Sequence, residues 1–165
     1  PLGYIGEVGL DATITHIIPI ERQLEIVYSL TQLALSYSRP IVFHINASFD
    51  LMNDIFKLAK GRIPMIIHHF TGSIETAHEL YKKGVHVSVG PRVWQKEMKL
   101  SKRIDGLNIP ILLETDYTGN DEIQHVKLLN EHYRWLARES NIQTHTLVER
   151  MHELSRVFQS HQINR

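Results

Sequence analysis

The sequence predicts an α/β protein built on a parallel sheet, and three features predict it. Short apolar runs alternate with longer segments of helical period, and most of the runs follow a proline or a glycine that closes the segment before. The runs around Val42, Ile66 and Leu112 are nearly unbroken in apolar residues. Strands of that kind are covered by helices on both faces, as in parallel sheets.

Taken in order, the first run is Tyr4-Ile5-Gly6-Glu7-Val8-Gly9. A helix is expected over residues 20–37, where Leu24, Val27, Tyr28, Leu30 and Ala34 recur at mostly three- and four-residue spacing. The second run, Ile41-Val42-Phe43-His44-Ile45, follows Pro40. The next helix, 48–60, opens on Ser48 as its N-cap and stops at Gly61. Met65-Ile66-Ile67-His68 follows Pro64, and a helix over 73–83 opens on Ser73 and ends in Lys82-Lys83 before Gly84. Its Glu75 in the first turn and lysines in the last suit the helix dipole. Val85-His86-Val87-Ser88-Val89 is the fourth run, and a basic stretch over 95–104 precedes the fifth, Ile111-Leu112-Leu113-Glu114 behind Pro110. Two helices, at about 121–139 and 145–159, close the chain. No repeat, low-complexity segment or linker divides it, so residues 1–165 read as a single domain. Five strands satisfy a doubly wound sheet, whereas a closed eight-stranded barrel takes roughly 250 residues. Length alone therefore favours the open sheet, while the placement of the polar residues argues the other way.

Composition narrows the function classes. Eighteen basic and eighteen acidic residues leave no formal charge, so attachment to nucleic acid through the overall field is excluded and a local patch would be required. There is no cysteine, hence no disulfide and no thiolate metal site. No apolar run approaches the roughly 20 residues of a membrane span, and no signal-peptide pattern opens the chain, so a cytoplasmic setting is expected. A chain of this kind that binds a transition metal must use imidazole and carboxylate, and the sequence holds eleven histidines.

Working residues of a parallel α/β sheet collect at the carboxyl ends of its strands. Glu7, His44, His68 and, just past the last strand, Asp116 are metal-competent groups near such ends. Each has an ordinary alternative. A lone histidine in a strand is usually a hydrogen-bonded core residue, Glu7 could accept backbone N–H bonds, and Asp116 could serve a turn. Together they are harder to explain, because an unpaired buried carboxylate or imidazole at each of four strand ends costs several kcal/mol. A shared divalent cation turns that cost into coordination. Oxygen and nitrogen donors without thiolate suit zinc, manganese or magnesium alike. His68 and His69 are adjacent, so in a strand at most one of them faces the site. The other histidines read as ordinary: His78, His125, His132, His145, His152 and His161 at helical or terminal polar positions, His16 in a loop, His86 mid-strand.

These residues stand inside ordered strings: Gly6-Glu7-Val8-Gly9-Leu10-Asp11, Pro40-Ile41-Val42-Phe43-His44, Ile67-His68-His69-Phe70-Thr71-Gly72-Ser73, Val87-Ser88-Val89-Gly90-Pro91 and Leu112-Leu113-Glu114-Thr115-Asp116. In that order and spacing they resemble the TatD family of metal-dependent hydrolases, most of them reported as DNases, over residues 3–116. The resemblance implies a distorted (β/α)8 barrel with one or two divalent metals at its carboxyl face. The five strands here would correspond to the last five of eight. The resemblance thus leaves either a piece of a longer protein, the reading favoured, or a member without its first three strands. Such a five-stranded remnant leaves an open edge and an uncovered inner face, an aggregation liability unless another segment fills it.

On the family pattern Glu7 would bridge two metals, His44 and His68 would bind the second, and Asp116 would hold the first and orient or deprotonate the attacking water. His69 stands where the family usually has cysteine and is not counted as a ligand. No His-x-His pair precedes Glu7, and Asn46 occupies the place of an arginine suited to bidentate phosphate contact. The loop after the last strand is reduced to Tyr117-Thr118-Gly119-Asn120. Substrate grip is therefore expected to differ from that of a standard member. Asn46, Lys96 and Arg103 are the candidate substrate contacts, with Lys99 and Lys102 in the same basic stretch and Trp94 available for base stacking. The ordinary alternative for that stretch is a solvated face. Three readings follow: a DNA phosphodiesterase, a metal-dependent deacylase of aminoacyl-tRNA, and a TatD-like subunit of a multi-protein assembly such as the bacterial Qat-type anti-phage systems.

Overall fold

A computed structural model describes residues 3–106 and 108–160, so His161 lies outside the described residues. Five strands form one sheet: β1 (Ile5–Asp11), β2 (Ile41–Asn46), β3 (Met65–Ile67), β4 (Val85–Val89) and β5 (Leu112–Leu113). Every neighbouring pair is parallel, and the spatial order is the chain order, β1-β2-β3-β4-β5. A doubly wound sheet reverses its strand order partway across. This one does not, so the open-sheet expectation from length is corrected: sequential parallel winding is the arrangement of a partial (β/α)8 barrel.

The connecting helices are α1 (Ile20–Ser36), α2 (Asn53–Ala59) and α3 (Ile74–Lys82), followed after β5 by α4 (Glu122–Glu139) and α5 (Thr144–Ser160). Their ends obey the local signals. The Ser73 hydroxyl accepts from the Thr76 amide at 3.2 Å, and Gly84 leaves α3 in the left-handed region at φ 81°. Ser48 caps a 3-10 turn, Phe49–Met52, that precedes α2, so the single helix expected there is a turn followed by a shorter helix. The basic stretch folds around 3-10 turns, Pro91–Trp94 and Ser101–Gly106, anchored by buried Leu100 and Ile104. Tyr28, counted in the apolar period of α1, is exposed. The buried face of α1 runs instead through Gln23, Val27, Thr31 and Ala34.

Strand alternation sorts the sheet into two faces. Ile41, Phe43, Met65, Ile67, Val85 and Val87 share one core with residues of α1, α2 and α3. The opposite, inner face has two layers. Toward the amino ends, Val42, Ile66 and Leu112 pack with Leu154 and Phe158 of α5, and His86 lies 5.1 Å from the Phe158 ring. One step further come His44 on β2, Ser88 on β4 and Glu114 just past β5. The last helix therefore occupies the inner face, leaving the carboxyl rim to polar groups.

Candidate metal centre

Glu7, His44 and His68 converge on the carboxyl rim. Each offers one donor atom, and all three atoms lie within 4.8 Å of one another. His68 Nε2 is 2.7 Å from Glu7 Oε2 and 3.0 Å from His44 Nδ1. The close approach of β1 to β2 makes this possible. A Cβ on Gly9 would sit 1.5 Å from the His44 carbonyl oxygen, so only glycine fits there. One carboxylate and two imidazoles with their donor atoms this close form an oxygen and nitrogen set suited to a divalent cation.

Asp116 stands apart from these three. It lies past β5 with φ 49°, and its Oδ2 is 3.5 Å from His69 Nδ1, a buried nitrogen with no hydrogen-bond partner among the described residues. His69 itself has φ 50°. Left-handed backbone at a residue other than glycine is uncommon and concentrates at functional sites. The expectation that His68 and His69 face opposite ways is corrected for the same reason. The strand ends at Ile67, and the left-handed turn at His69 lets both rings meet acidic groups of the rim.

Sequence reasoning did not single out Glu114. It accepts a short hydrogen bond from the His69 amide, and its Oε2 faces His68 Nδ1 at 3.7 Å. Glu114 does most to raise the His68 pKa above its ordinary value; burial opposes this, and Glu7 and Asp116 add to the rise. Burial in turn pushes the Glu114 carboxyl up, but His68, the His69 amide and Ser88 together outweigh it and hold the carboxyl below its ordinary range. The alternation Leu112, Glu114 at the end of the last apolar run was the available signal. Asp11 was also missed: it accepts from the Thr13 amide and hydroxyl and from Asn46, and these bonds, Thr13 first, hold its pKa down. Its Oδ2 is 4.0 Å from His44 Nε2. Gln23 of α1 fixes Asp11 by accepting from its amide at 2.7 Å and donating to its carbonyl at 3.1 Å.

The candidate substrate residues are dispersed. Asn46 donates to Asp11 at 3.0 Å and lines a cleft of about 400 Å³ together with Phe49, Gly72 and residues 97–99. Lys96 is exposed beside that cleft, while Arg103 pairs with Glu75 of α3 at 2.8 Å. Trp94 is committed inward: its indole N–H donates to His132 at 2.8 Å. His132 is fully buried, which corrects its assignment to a polar helix position.

The family model described as TatD related DNase matches residues 2–159, and the chain belongs to that family. An uncharacterised metal-dependent hydrolase of Methanocaldococcus jannaschii is 32% identical over 113 residues, 68% of this chain and 43% of that protein. The uncharacterised metal-dependent hydrolase YabD of Bacillus subtilis is 32% identical over 115 residues, 68% of this chain and 45% of that one. The chain thus spans less than half the length of these curated relatives. Among solved structures, YjjV, a TatD homologue of Escherichia coli K12, superposes with a TM-score of 0.75 at 20% identity, covering 94% of this chain and 62% of that one. A TatD-family hydrolase of Entamoeba histolytica gives a TM-score of 0.77 at 19% identity with the same coverage. These likenesses agree with a partial barrel.

Proposed function

We propose that this chain carries the metal centre of a hydrolase that cleaves phosphodiester bonds of DNA. The convergence of Glu7, His44 and His68 on one point of the carboxyl rim is the observation that carries the reading. A divalent cation held there would supply Lewis-acid activation of water and neutralise charge building on the phosphate oxygens. The protein's own part is to present the donor atoms in the right protonation state. Glu114, facing Nδ1 of His68, favours the proton on that nitrogen and leaves the Nε2 lone pair toward Glu7 and His44. Asp116, exposed on the rim beside His69, is the group we assign to orienting the attacking water and accepting its proton. Asn46 and Lys96, at and beside the 400 Å³ cleft, supply neutral and cationic contacts to the strand, whereas Arg103 is engaged by Glu75. The five βα units are read as one domain, the last five units of an eight-unit barrel.

Chelator-treated protein reloaded with manganese, magnesium or zinc should cleave a labelled single-stranded oligonucleotide. Glu7→Gln should lower that cleavage by more than about 100-fold, the upper end of what substitutions outside the coordination sphere cost. Activity that survives both chelation and Glu7→Gln would overturn the reading. Deacylation of aminoacyl-tRNA without DNA cleavage would move the substrate to an ester at the same centre.

A further inference from the structure

We infer that His132 is a positioning residue for the metal centre, tying α4 to the cluster through the carbonyl of Val89 and the side chain of Glu114. The inference rests on the metal-centre reading above and adds to it a residue on a helix that contributes no donor atom.

The protonation of His132 follows from its partners. An indole N–H can only donate, so His132 Nδ1 must accept the 2.8 Å bond from Trp94 Nε1. The proton then resides on Nε2, which donates to the Val89 carbonyl at 2.7 Å. Both nitrogens of a fully buried ring are thereby satisfied in one tautomer. A histidine kept only for core packing could end there.

What sets this one apart is the group that receives its proton. Val89 is the last residue of β4, and its carbonyl also accepts from the Glu114 amide at 3.2 Å. One oxygen therefore fixes both the buried ring of α4 and the backbone of the residue whose carboxylate holds the His69 amide and faces His68. The next residue, Gly90, leaves room for the His69 ring, since a Cβ there would lie 3.1 Å from His69 Nδ1. Rotation of the Val89 peptide would move Glu114 and the seat of His69 together. Outer-shell partners of this kind orient the donor atoms that hold a cation.

The test compares manganese binding with fold integrity. His132→Leu removes both hydrogen bonds, and should weaken manganese binding, measured by titration calorimetry, by about 10- to 100-fold at a temperature where near-ultraviolet circular dichroism shows it folded. His132→Gln keeps a donor that can reach the Val89 carbonyl and should recover most of the affinity. If His132→Leu does not fold, Trp94→Phe and the wild-type imidazole 15N spectrum decide. The wild-type spectrum should show the proton on Nε2 of His132, and Trp94→Phe should weaken manganese binding. A folded His132→Leu or Trp94→Phe protein that binds manganese as wild type does, or the opposite tautomer, overturns this inference alone. Wild-type protein that binds no divalent metal overturns it together with the metal centre.

Discussion

His68 is the residue on which the centre's electrostatics turn, and its surroundings predict a pH signature in the metal-free protein. Its pKa is raised above 6.5, chiefly by Glu114. A raised histidine contributes stability that is fully present below its unfolded pKa and is lost as pH climbs through the folded value. Glu114, whose pKa is depressed from 4.5, contributes stability present above 4.5 and lost as pH falls through the lowered value. Chelated protein should therefore lose urea resistance as pH rises above about 6.5, and His68→Gln should lose less over the same rise. Equal slopes in the two proteins would show that His68 is not held in that way. Glu7, His44 and His68 were legible in the sequence because charged and ionisable groups in apolar strand-end strings need a partner. Glu114 and Asp11 were not, because their roles depend on bonds to His69, Thr13 and Asn46 across strands and turns that no single string displays. Asp116 follows β5 on left-handed backbone, which the residue types Thr115-Asp116-Tyr117 do not announce.

Elements were legible where punctuation is local. Pro40, Pro64 and Pro110 precede strands, and Ser73 with Gly84 brackets α3 within a residue of its observed ends. The basic stretch and the short β5 were harder, since 3-10 turns and a two-residue strand carry no period. The role of α5 was the least legible, because its partners lie on strands far away in the chain. The sequence offered only a helix at about 145–159; the structure lays Leu154 and Phe158 on the inner face against Ile66, with Val42 and Leu112 beside them. Phe158 is 1% exposed and meets the His86 ring nearly edge-on, at 80°. Removing it opens a cavity beneath the polar layer that carries His44 and Glu114. Phe158→Ala should thus cost about 3–5 kcal/mol of unfolding free energy by urea titration. A loss below about 0.5 kcal/mol, the range of surface changes, would mean that α5 does not seal this face.

At the scale of the whole molecule, two edges of the sheet and two helix faces lack neighbours among the described residues. β1 and β5 each pair on one side only. Beside β1, Ile26 and Leu33 of α1 and Tyr37 just past its end stand exposed, with Leu30 half-buried between them, at four- and three-residue spacing that makes one stripe. Beside β5, α4 exposes Ile123 at 82% and Val126 at 58%. Unpaired strand edges and apolar stripes favour association, and a net charge of zero does nothing to oppose it. The 165-residue chain should therefore self-associate as its concentration rises, seen by sedimentation velocity. Ile26→Lys with Leu33→Lys should suppress that association and shift stability by no more than about 0.5 kcal/mol per site. Ser29→Lys with Ser36→Lys adds the same charge to the same helix off the stripe, and so separates the two causes. If the serine pair suppresses association equally, the cause is colloidal charge. If neither pair does, association runs through the strand edges, where backbone N–H and C=O groups rather than side chains carry it. Suppression by the stripe pair alone would locate the incomplete surface on the α1 side of the sheet, next to the strand that supplies Glu7.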